Sequence, residues 1–84
     1  MQTLEQLFSG ELKGIKHLKL SSDIISFPKE ILDLADSLEI LDLSNNWLSK
    51  LPENFSDLKK LKIAFFSDNS FTTFPKVLAD CPNL

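Results

Sequence analysis

The stretch LEILDLSNNWLSKLP, residues 38–52, has leucines at positions 38, 41, 43, 48 and 51, with Asn46 among them and Pro52 at its end. Strict alternation of apolar residues would predict a strand, and a spacing near 3.6 residues would predict a helix. Neither period holds along the whole stretch. The pattern predicts a few residues of strand, then a loop, then a turn.

The same pattern recurs before and after this stretch. Shifting it along the chain until Leu38 meets Leu61 aligns it with LKIAFFSDNSFTTFP at 61–75, which places Asn69 under Asn46. Upstream, IKHLKLSSDIISFP at 15–28 aligns with a loop that is one residue shorter and has Asp23 in the asparagine position. A repeat of this length with the pattern L-x-x-L-x-L-x-x-N-x-L is the signature of leucine-rich repeats. The chain is therefore identified as a leucine-rich repeat protein, and its closing Leu-Pro or Phe-Pro pairs resemble those of the cytoplasmic class with 23-residue units.

This alignment predicts the domain organisation and the fold class. We expect one domain, 1–84, with an N-terminal helix and half-repeat at 1–14, repeats at 15–37, 38–60 and 61–83, and Leu84 as the start of a fourth repeat. The fold class is α/β. We expect a right-handed solenoid, because crossovers between parallel strands are almost always right-handed. Short parallel strands near 17–20, 40–43 and 63–66 should line its concave face, and short helices or 3₁₀ turns its convex face.

The N-terminal residues carry helix signals. Thr3 and Gln6 have the spacing of a capping box, and Gly10 suits the end of a helix. We therefore expect a capping helix at 2–9 that covers the first repeat, since the terminal units of a solenoid need a polar outer surface.

Composition and charge argue against several classes of partner. The net charge is −3, and all nine basic residues are lysines. Nucleic-acid-binding domains usually carry a basic stripe, so we expect no nucleic-acid partner. No apolar run approaches the roughly 20 residues of a membrane span, and the N-terminus lacks the features of a signal peptide. With Cys81 as the single cysteine, no internal disulfide can form, and we expect a cytoplasmic location.

The sequence offers no catalytic or metal-binding constellation. His17 is the only histidine, and the only glycines are Gly10 and Gly14, so no glycine-rich phosphate loop is present. Cys81 aligns with Leu34 and Leu58, which predicts a buried small apolar side chain rather than a nucleophile. We therefore expect no enzymatic activity, no cofactor and no metal.

The sequence predicts two sets of residues: one that binds a partner and one that holds the loops in place. Side chains that alternate outward along the strands, with an aromatic residue in the following loop, form the candidate partner-binding set: His17, Lys19, Ile40, Asp42, Trp47, Ile63 and Phe65. Exposed apolar groups of this kind tend to mark interfaces. Trp47 could equally lie flat over the loop and shield the asparagines. The structural ladder of the loops is predicted to be Asp23, Asn46 and Asn69.

A narrower resemblance concerns a longer parent protein. The stretches TLEQLFSGELKGIKHLKL, FPKEILDLADSLEILDLSNN, FSDN and LADCPNL resemble the N-terminal part of bacterial proteins in which such repeats precede a protein-kinase-like domain. That resemblance implies a parent that phosphorylates proteins and binds ATP outside this chain. No Gly-rich kinase loop, HRD or DFG motif is present here, so no kinase residue can be assigned.

Two functions follow as hypotheses. In the first, the chain is a protein-interaction module that binds a partner protein, of unknown identity, through its concave face. In the alternative, it is the regulatory segment of a longer kinase-bearing protein. We also expect the 84-residue chain to self-associate near Phe66 and Phe71, because the third repeat leaves an open strand edge.

Overall fold

Residues 1–84 are all described by a computed structural model, in which a small sheet packs against a row of short helices. A single α-helix, α1, spans Leu4–Ser9 near the N-terminus. Three strands then alternate with three 3₁₀ helices. The strands are β1 (His17–Lys19), β2 (Ile40–Asp42) and β3 (Ile63–Phe65), and the 3₁₀ helices span Lys29–Leu34, Glu53–Asp57 and Lys76–Asp80.

The strands form one parallel sheet in the order β1-β2-β3. His17 pairs with Ile40 and Ile40 pairs with Ile63, so partners are separated by one whole repeat in both ladders. Leu18 and Leu41 point into the core and are fully buried, while their strand neighbours point outward, as the pleat of a strand requires. The predicted parallel sheet is confirmed, with each strand one residue shorter at its C-terminal end.

All three segments that follow the strands adopt 3₁₀ geometry, one of the two forms that the sequence predicted for the convex face. Ile31 N–H donates to the Pro28 carbonyl at 3.0 Å, and Phe55 N–H donates to the Pro52 carbonyl at 3.0 Å. A 3₁₀ helix has three residues per turn. Inward-facing residues three apart therefore lie on one side of each helix; these pairs are Ile31 and Leu34, Phe55 and Leu58, and Leu78 and Cys81.

Helix α1 begins two residues later than predicted and has the predicted caps. The Thr3 hydroxyl accepts a hydrogen bond from Gln6 N–H at 3.1 Å, and the Gln6 side chain accepts one from Thr3 N–H at 3.0 Å. Gly10 ends the helix at a φ of +84°, a left-handed conformation that glycine adopts without steric cost. Leu7 is the side chain of this helix that enters the core.

Four phenylalanine rings form a column that packs against the core. The ring centroids of Phe27 and Phe55 lie 5.5 Å apart, those of Phe55 and Phe66 lie 6.1 Å apart, and those of Phe66 and Phe71 lie 5.8 Å apart. Phe55 is fully buried. Contacts between aromatic rings in such geometries add to the free energy of burial, so the column stabilises the core.

Cys81 lies in the core, as its alignment with two leucines predicted. Its side chain is buried and packs with the same apolar cluster as Phe55 and Leu58. Burial raises the pKa of the Cys81 thiol; the neighbouring Asp80 carboxylate also raises it, and Lys59 acts in the opposite direction. The thiol is therefore neutral at physiological pH and a poor nucleophile.

Candidate functional site

The sheet exposes one side to solvent, and we call the side chains on that side the sheet face. It consists of two outward residues from each strand: His17, Lys19, Ile40, Asp42, Ile63 and Phe65. The pairing register sets them in two rows across the strands. The structure thus brings together six of the seven residues predicted to contact a partner.

One half of the sheet face is polar. Lys19 Nζ lies 4.0 Å from Asp42 Oδ2, and the two residues are direct partners across β1 and β2. Asp42 Oδ1 also accepts a hydrogen bond from Ser44 N–H at 3.0 Å. Both oxygens of this carboxylate are therefore engaged. His17 is exposed beside this pair, as predicted.

The other half of the sheet face is apolar. Ile63 and Phe65 on β3 remain 45% and 48% exposed, and Ile40, the partner of Ile63, is half-buried. These three side chains do not contribute to the core behind the sheet. They form a continuous apolar area at the β3 side, which we call the apolar patch.

Trp47 lies in the loop that follows β2 and is 59% exposed. Its indole N–H donates to Asp23 Oδ1 at 3.4 Å, and its backbone N–H donates to the Ile24 carbonyl at 2.8 Å. The ring therefore leans toward the preceding repeat while more than half of its surface stays in solvent. The geometry combines features of both roles predicted for this residue.

Asn46 and Asn69 hold the loops that follow the strands. Asn46 is 5% exposed, and its Oδ1 accepts from the backbone N–H groups of Ser22 and Ile24, each at 3.1 Å. Its Nδ2 donates to the carbonyls of Leu20 and Leu43 at 3.0 and 2.9 Å. The amide thereby joins two successive repeats.

Asn69 repeats this arrangement one unit later. Its Oδ1 accepts from Leu48 N–H at 2.9 Å, and its Nδ2 donates to the carbonyls of Leu43 and Phe66 at 2.8 and 3.0 Å. Asn69 is less buried than Asn46.

Asp23 departs from the predicted ladder. It is exposed, has a φ of +54°, and uses its carboxylate to accept the Trp47 indole N–H. The same left-handed conformation occurs at Asn45 and Asp68, the residues that precede the ladder asparagines. Asp23 thus holds the bend of its loop and does not occupy the ladder position. The sequence signal for this role is the residue type itself, since aspartate and asparagine adopt the left-handed conformation more readily than most others.

The two edges of the sheet differ for a reason that the repeat pattern does not predict. Gln2 N–H donates to the Lys19 carbonyl at 3.1 Å, and Gln2 Oε1 accepts from Lys19 N–H at 2.9 Å. Gln2 Nε2 also donates to the His17 carbonyl at 3.3 Å. One glutamine therefore occupies the outer edge of β1. On the opposite side of the sheet, β3 has no neighbouring strand within residues 1–84.

No group of three or more His, Cys, Asp or Glu side chains is arranged to hold a metal ion. None of the helices has the length and hydropathy needed to cross a lipid bilayer.

Comparison with known sequences identifies the repeat. The Leucine Rich Repeat family profile matches residues 37–58. A probable serine/threonine-protein kinase, roco9 of Dictyostelium discoideum, is 38% identical over 66 residues, which cover 77% of this chain and 2% of that protein. Chaoptin of Tribolium castaneum is 42% identical over 52 residues, which cover 61% of this chain and 7% of that protein. The chain thus spans a small fraction of both relatives.

Comparison with solved structures supports the fold. A leucine-rich repeat protein of Leptospira interrogans superposes with a TM-score of 0.76 and 40% sequence identity. The match covers 93% of this chain and 20% of that one.

Proposed function

Because the chain is a leucine-rich repeat protein, we propose that it is an interaction module that binds a partner protein through its sheet face. The observation that carries this proposal is the exposure of Ile63 and Phe65, at 45% and 48%, on a face whose residues are not needed for the core. Contiguous apolar groups that remain exposed to solvent tend to mark the surfaces at which proteins bind their partners.

The polar half of the sheet face supports the same use. An interface usually has an apolar centre and a polar rim. Here the Lys19–Asp42 pair flanks the apolar patch on one side, and the Lys62–Glu39 pair, at 3.5 Å, lies beside it. Trp47 extends the surface into the loops, and tryptophan is enriched among the residues that dominate binding energy. The partner should therefore present apolar side chains surrounded by polar groups.

Binding measurements with matched variants test this proposal. Partners captured by the immobilised chain are identified by mass spectrometry, purified and titrated against each variant. Phe65→Ala and Trp47→Ala should each weaken binding by at least about tenfold, as expected for a central contact worth more than about 1.4 kcal/mol. Lys50→Ala and Lys76→Ala, which change exposed side chains off the sheet face, serve as controls. Equal losses for all four variants, or no loss for any, would rule out the apolar patch.

The second candidate function is a regulatory segment of a longer protein. It is favoured by the 38% identity to a relative named as a probable protein kinase. An antibody raised against this chain tests it directly on native material. A reactive polypeptide far larger than 9.5 kDa, with kinase activity in the precipitate, would support this function. A reactive band of 9.5 kDa alone would exclude it.

The proposal extends to how the chain is organised. Repeats at 15–37, 38–60 and 61–83 fit the register, and right-handed winding is the usual hand for such crossovers. Helix α1 would act as a cap, because it buries Leu7 and follows directly on Gln2 at the β1 edge. A single, buried cysteine suits a reducing compartment, so we propose a cytoplasmic location. Cell fractionation with the same antibody would test the location.

A further inference from the structure

We propose that the cavity between helix α1 and the loop after β1 binds an arginine side chain of a partner protein, through the carboxylate of Asp23. The cavity contains no residue of the sheet face, so this proposal does not depend on the function of that face. A further repeat after β3 would lie on the far side of the sheet from α1 and β1, and would leave the cavity unchanged.

The cavity has a volume of about 290 Å³ and largely apolar walls. Leu4 and Phe8 come from α1, where their spacing of four residues puts them on one face of the helix. Ile25 and Pro28 come from the loop after β1. Phe8 and Ile25 keep 56% and 73% of their surface exposed. The space is below the roughly 300–1,000 Å³ of typical small-molecule sites, so it suits a single side chain.

The short loop of the first repeat brings Asp23 to this cavity. In the next two repeats the residue with the left-handed conformation is followed by a ladder asparagine, Asn46 or Asn69. The first loop lacks that asparagine, and its left-handed residue is Asp23 itself, with a φ of +54°. Asp23 lines the cavity together with Ser22 and Ser26. The first repeat therefore has an acidic group here that departs from the repeat pattern.

Asp23 is the only charged residue that lines the cavity. Its Oδ1 accepts the indole N–H of Trp47 at 3.4 Å, whereas its Oδ2 has no hydrogen-bond partner within the chain. No lysine ammonium lies within 4.0 Å of this carboxylate. A carboxylate attracts a cation more strongly where apolar groups displace the surrounding water. The cavity therefore favours a positively charged group.

The polar atoms of the cavity favour a guanidinium over an ammonium. A guanidinium is planar, carries five N–H donors and is more weakly hydrated than an ammonium. Asp23 Oδ2 and the hydroxyls of Ser22 and Ser26 are available to accept from it, since neither hydroxyl forms a hydrogen bond within the chain. The aliphatic stem of an arginine would pack against Phe8 and Ile25, as such stems do on apolar surface.

Trp47 indicates that the arginine belongs to a protein. Its indole N–H contacts Asp23, and its ring remains 59% exposed. A partner surface that covers this ring therefore also covers the entrance of the cavity. Tryptophan and arginine are both enriched among the residues that dominate the energy of protein interfaces. An arginine beside Trp47 would be a central contact of such an interface.

Titration of the whole chain with N-acetyl-L-arginine N-methylamide, followed by NMR, is the first test. The Trp47 indole N–H reports on the site, because it is hydrogen-bonded to Asp23. We expect saturable shifts of this proton and of the backbone amides that line the cavity. The matching citrulline compound has nearly the same shape without the charge, and it should bind at least about fivefold more weakly. The matching lysine compound should also bind more weakly than the arginine compound.

The outcomes of this titration are decisive on the native chain. Absence of shifts at about 50 mM arginine compound, well above the dissociation constants of weak specific binding, would overturn the proposal. Equal affinity for the arginine and citrulline compounds would overturn the role of the carboxylate. Equal affinity for the arginine and lysine compounds would overturn the assignment to a guanidinium.

Asp23→Asn tests the carboxylate with little change of shape. Asparagine adopts the left-handed conformation as readily as aspartate, and its Oδ1 can still accept from Trp47. The variant should bind the arginine compound at least about fivefold more weakly. Asp68→Asn is the matched control, because Asp68 is exposed, has a φ of +56° and lies in the loop of the third repeat. Unchanged binding by a folded Asp23→Asn chain, or equal losses in both variants, would contradict the proposal.

Discussion

Asn46 is the polar residue of the core, and its four shortest hydrogen bonds join two repeats. Its side chain accepts from Ser22 and Ile24 and donates to Leu20 and Leu43, all at 2.9 to 3.1 Å. The Leu20 carbonyl and the Ile24 N–H belong to buried residues, and each would otherwise lack a partner, at a cost of about 1–3 kcal/mol. The Leu43 carbonyl also accepts from Asn69. The Asn46 amide thus fixes the bend of its own loop and the distance between this loop and that of the preceding repeat.

Replacement of this amide should be costly. We expect Asn46→Ala to lower the free energy of unfolding by about 3 kcal/mol, because two buried backbone groups, the Leu20 carbonyl and the Ile24 N–H, lose their partner. Asn69→Ala, at the less buried rung, should cost less. Urea denaturation followed by circular dichroism measures both. If the two variants unfold at the same midpoint, burial does not set the strength of the ladder.

Adjacent residues of β2 should differ strongly in how much their replacement destabilises the fold. Leu41 is fully buried, and Leu41→Ala should destabilise the fold by about 2–5 kcal/mol. Asp42→Ala removes an ion pair on the surface and should cost less than about 1 kcal/mol. Thermal unfolding of the two variants gives the comparison. A greater loss for Asp42→Ala would mean that the inward and outward sides of β2 are assigned wrongly.

At this scale the sequence predicted positions that follow the repeat and missed those that depart from it. The buried Leu41 and Cys81 and the exposed His17 could be predicted because each aligns with equivalents in the neighbouring repeats. Asp23 was misplaced because its loop is one residue shorter, and alignment alone does not show where the gap falls. Gln2 precedes the repeats, so no period could indicate that it bonds to β1.

Helix α1 illustrates how a short element depends on its ends. An isolated helix of six residues is far too short to be stable in water. The helix is stabilised instead by the capping box of Thr3 and Gln6 and by the burial of Leu7. Thr3 also directly follows Gln2, so the start of the helix helps to hold Gln2 against the edge of β1.

Removal of the cap should therefore loosen both the helix and the strand edge. We expect Thr3→Ala to cost about 0.5–2 kcal/mol and to speed hydrogen exchange at the Lys19 amide, which bonds to Gln2 Oε1. Thr72→Ala, at an exposed threonine outside the helices and strands, is the matched control. Exchange measured by NMR would show both effects. Unchanged exchange at Lys19 in Thr3→Ala would mean that Gln2 holds its place without the helix.

The type of the connecting helices was only partly predictable. The sequence predicted short helices or 3₁₀ turns for these segments without deciding between them. The structure has 3₁₀ geometry in all three. The spacing of three residues between buried side chains in each segment favours this period, and the return to the next strand leaves little length for an α-helix.

For the whole molecule, the sequence predicted the sheet and the grouping of the candidate site. The constant register of one repeat per strand places the outward residues of three strands on one face, and the structure shows the same rows. The sequence did not predict that the two edges of the sheet differ. That difference depends on hydrogen bonds between Gln2 and β1, which lie 15 to 17 residues apart and outside the repeat.

The constant register also predicts that the molecule tolerates a change of length in whole units. Duplication of residues 38–60 should give a folded chain with a four-stranded sheet and a higher melting temperature, because each added repeat contributes its own interface. Duplication of 38–61 is the control, since one extra residue interrupts the period at the junction. Calorimetry of the two chains would measure the difference. Equal melting temperatures would show that the period does not govern stability.

The equal separation of paired residues has a kinetic consequence. The loop closed when His17 meets Ile40 has the same length as the loop closed when Ile40 meets Ile63. The entropy lost in closing a loop depends on its length. The two strand pairs therefore lose the same loop-closure entropy when they form. Folding can then start at either pair and spread to the third strand, and its rate is set by the closure of one unit and not by the size of the array.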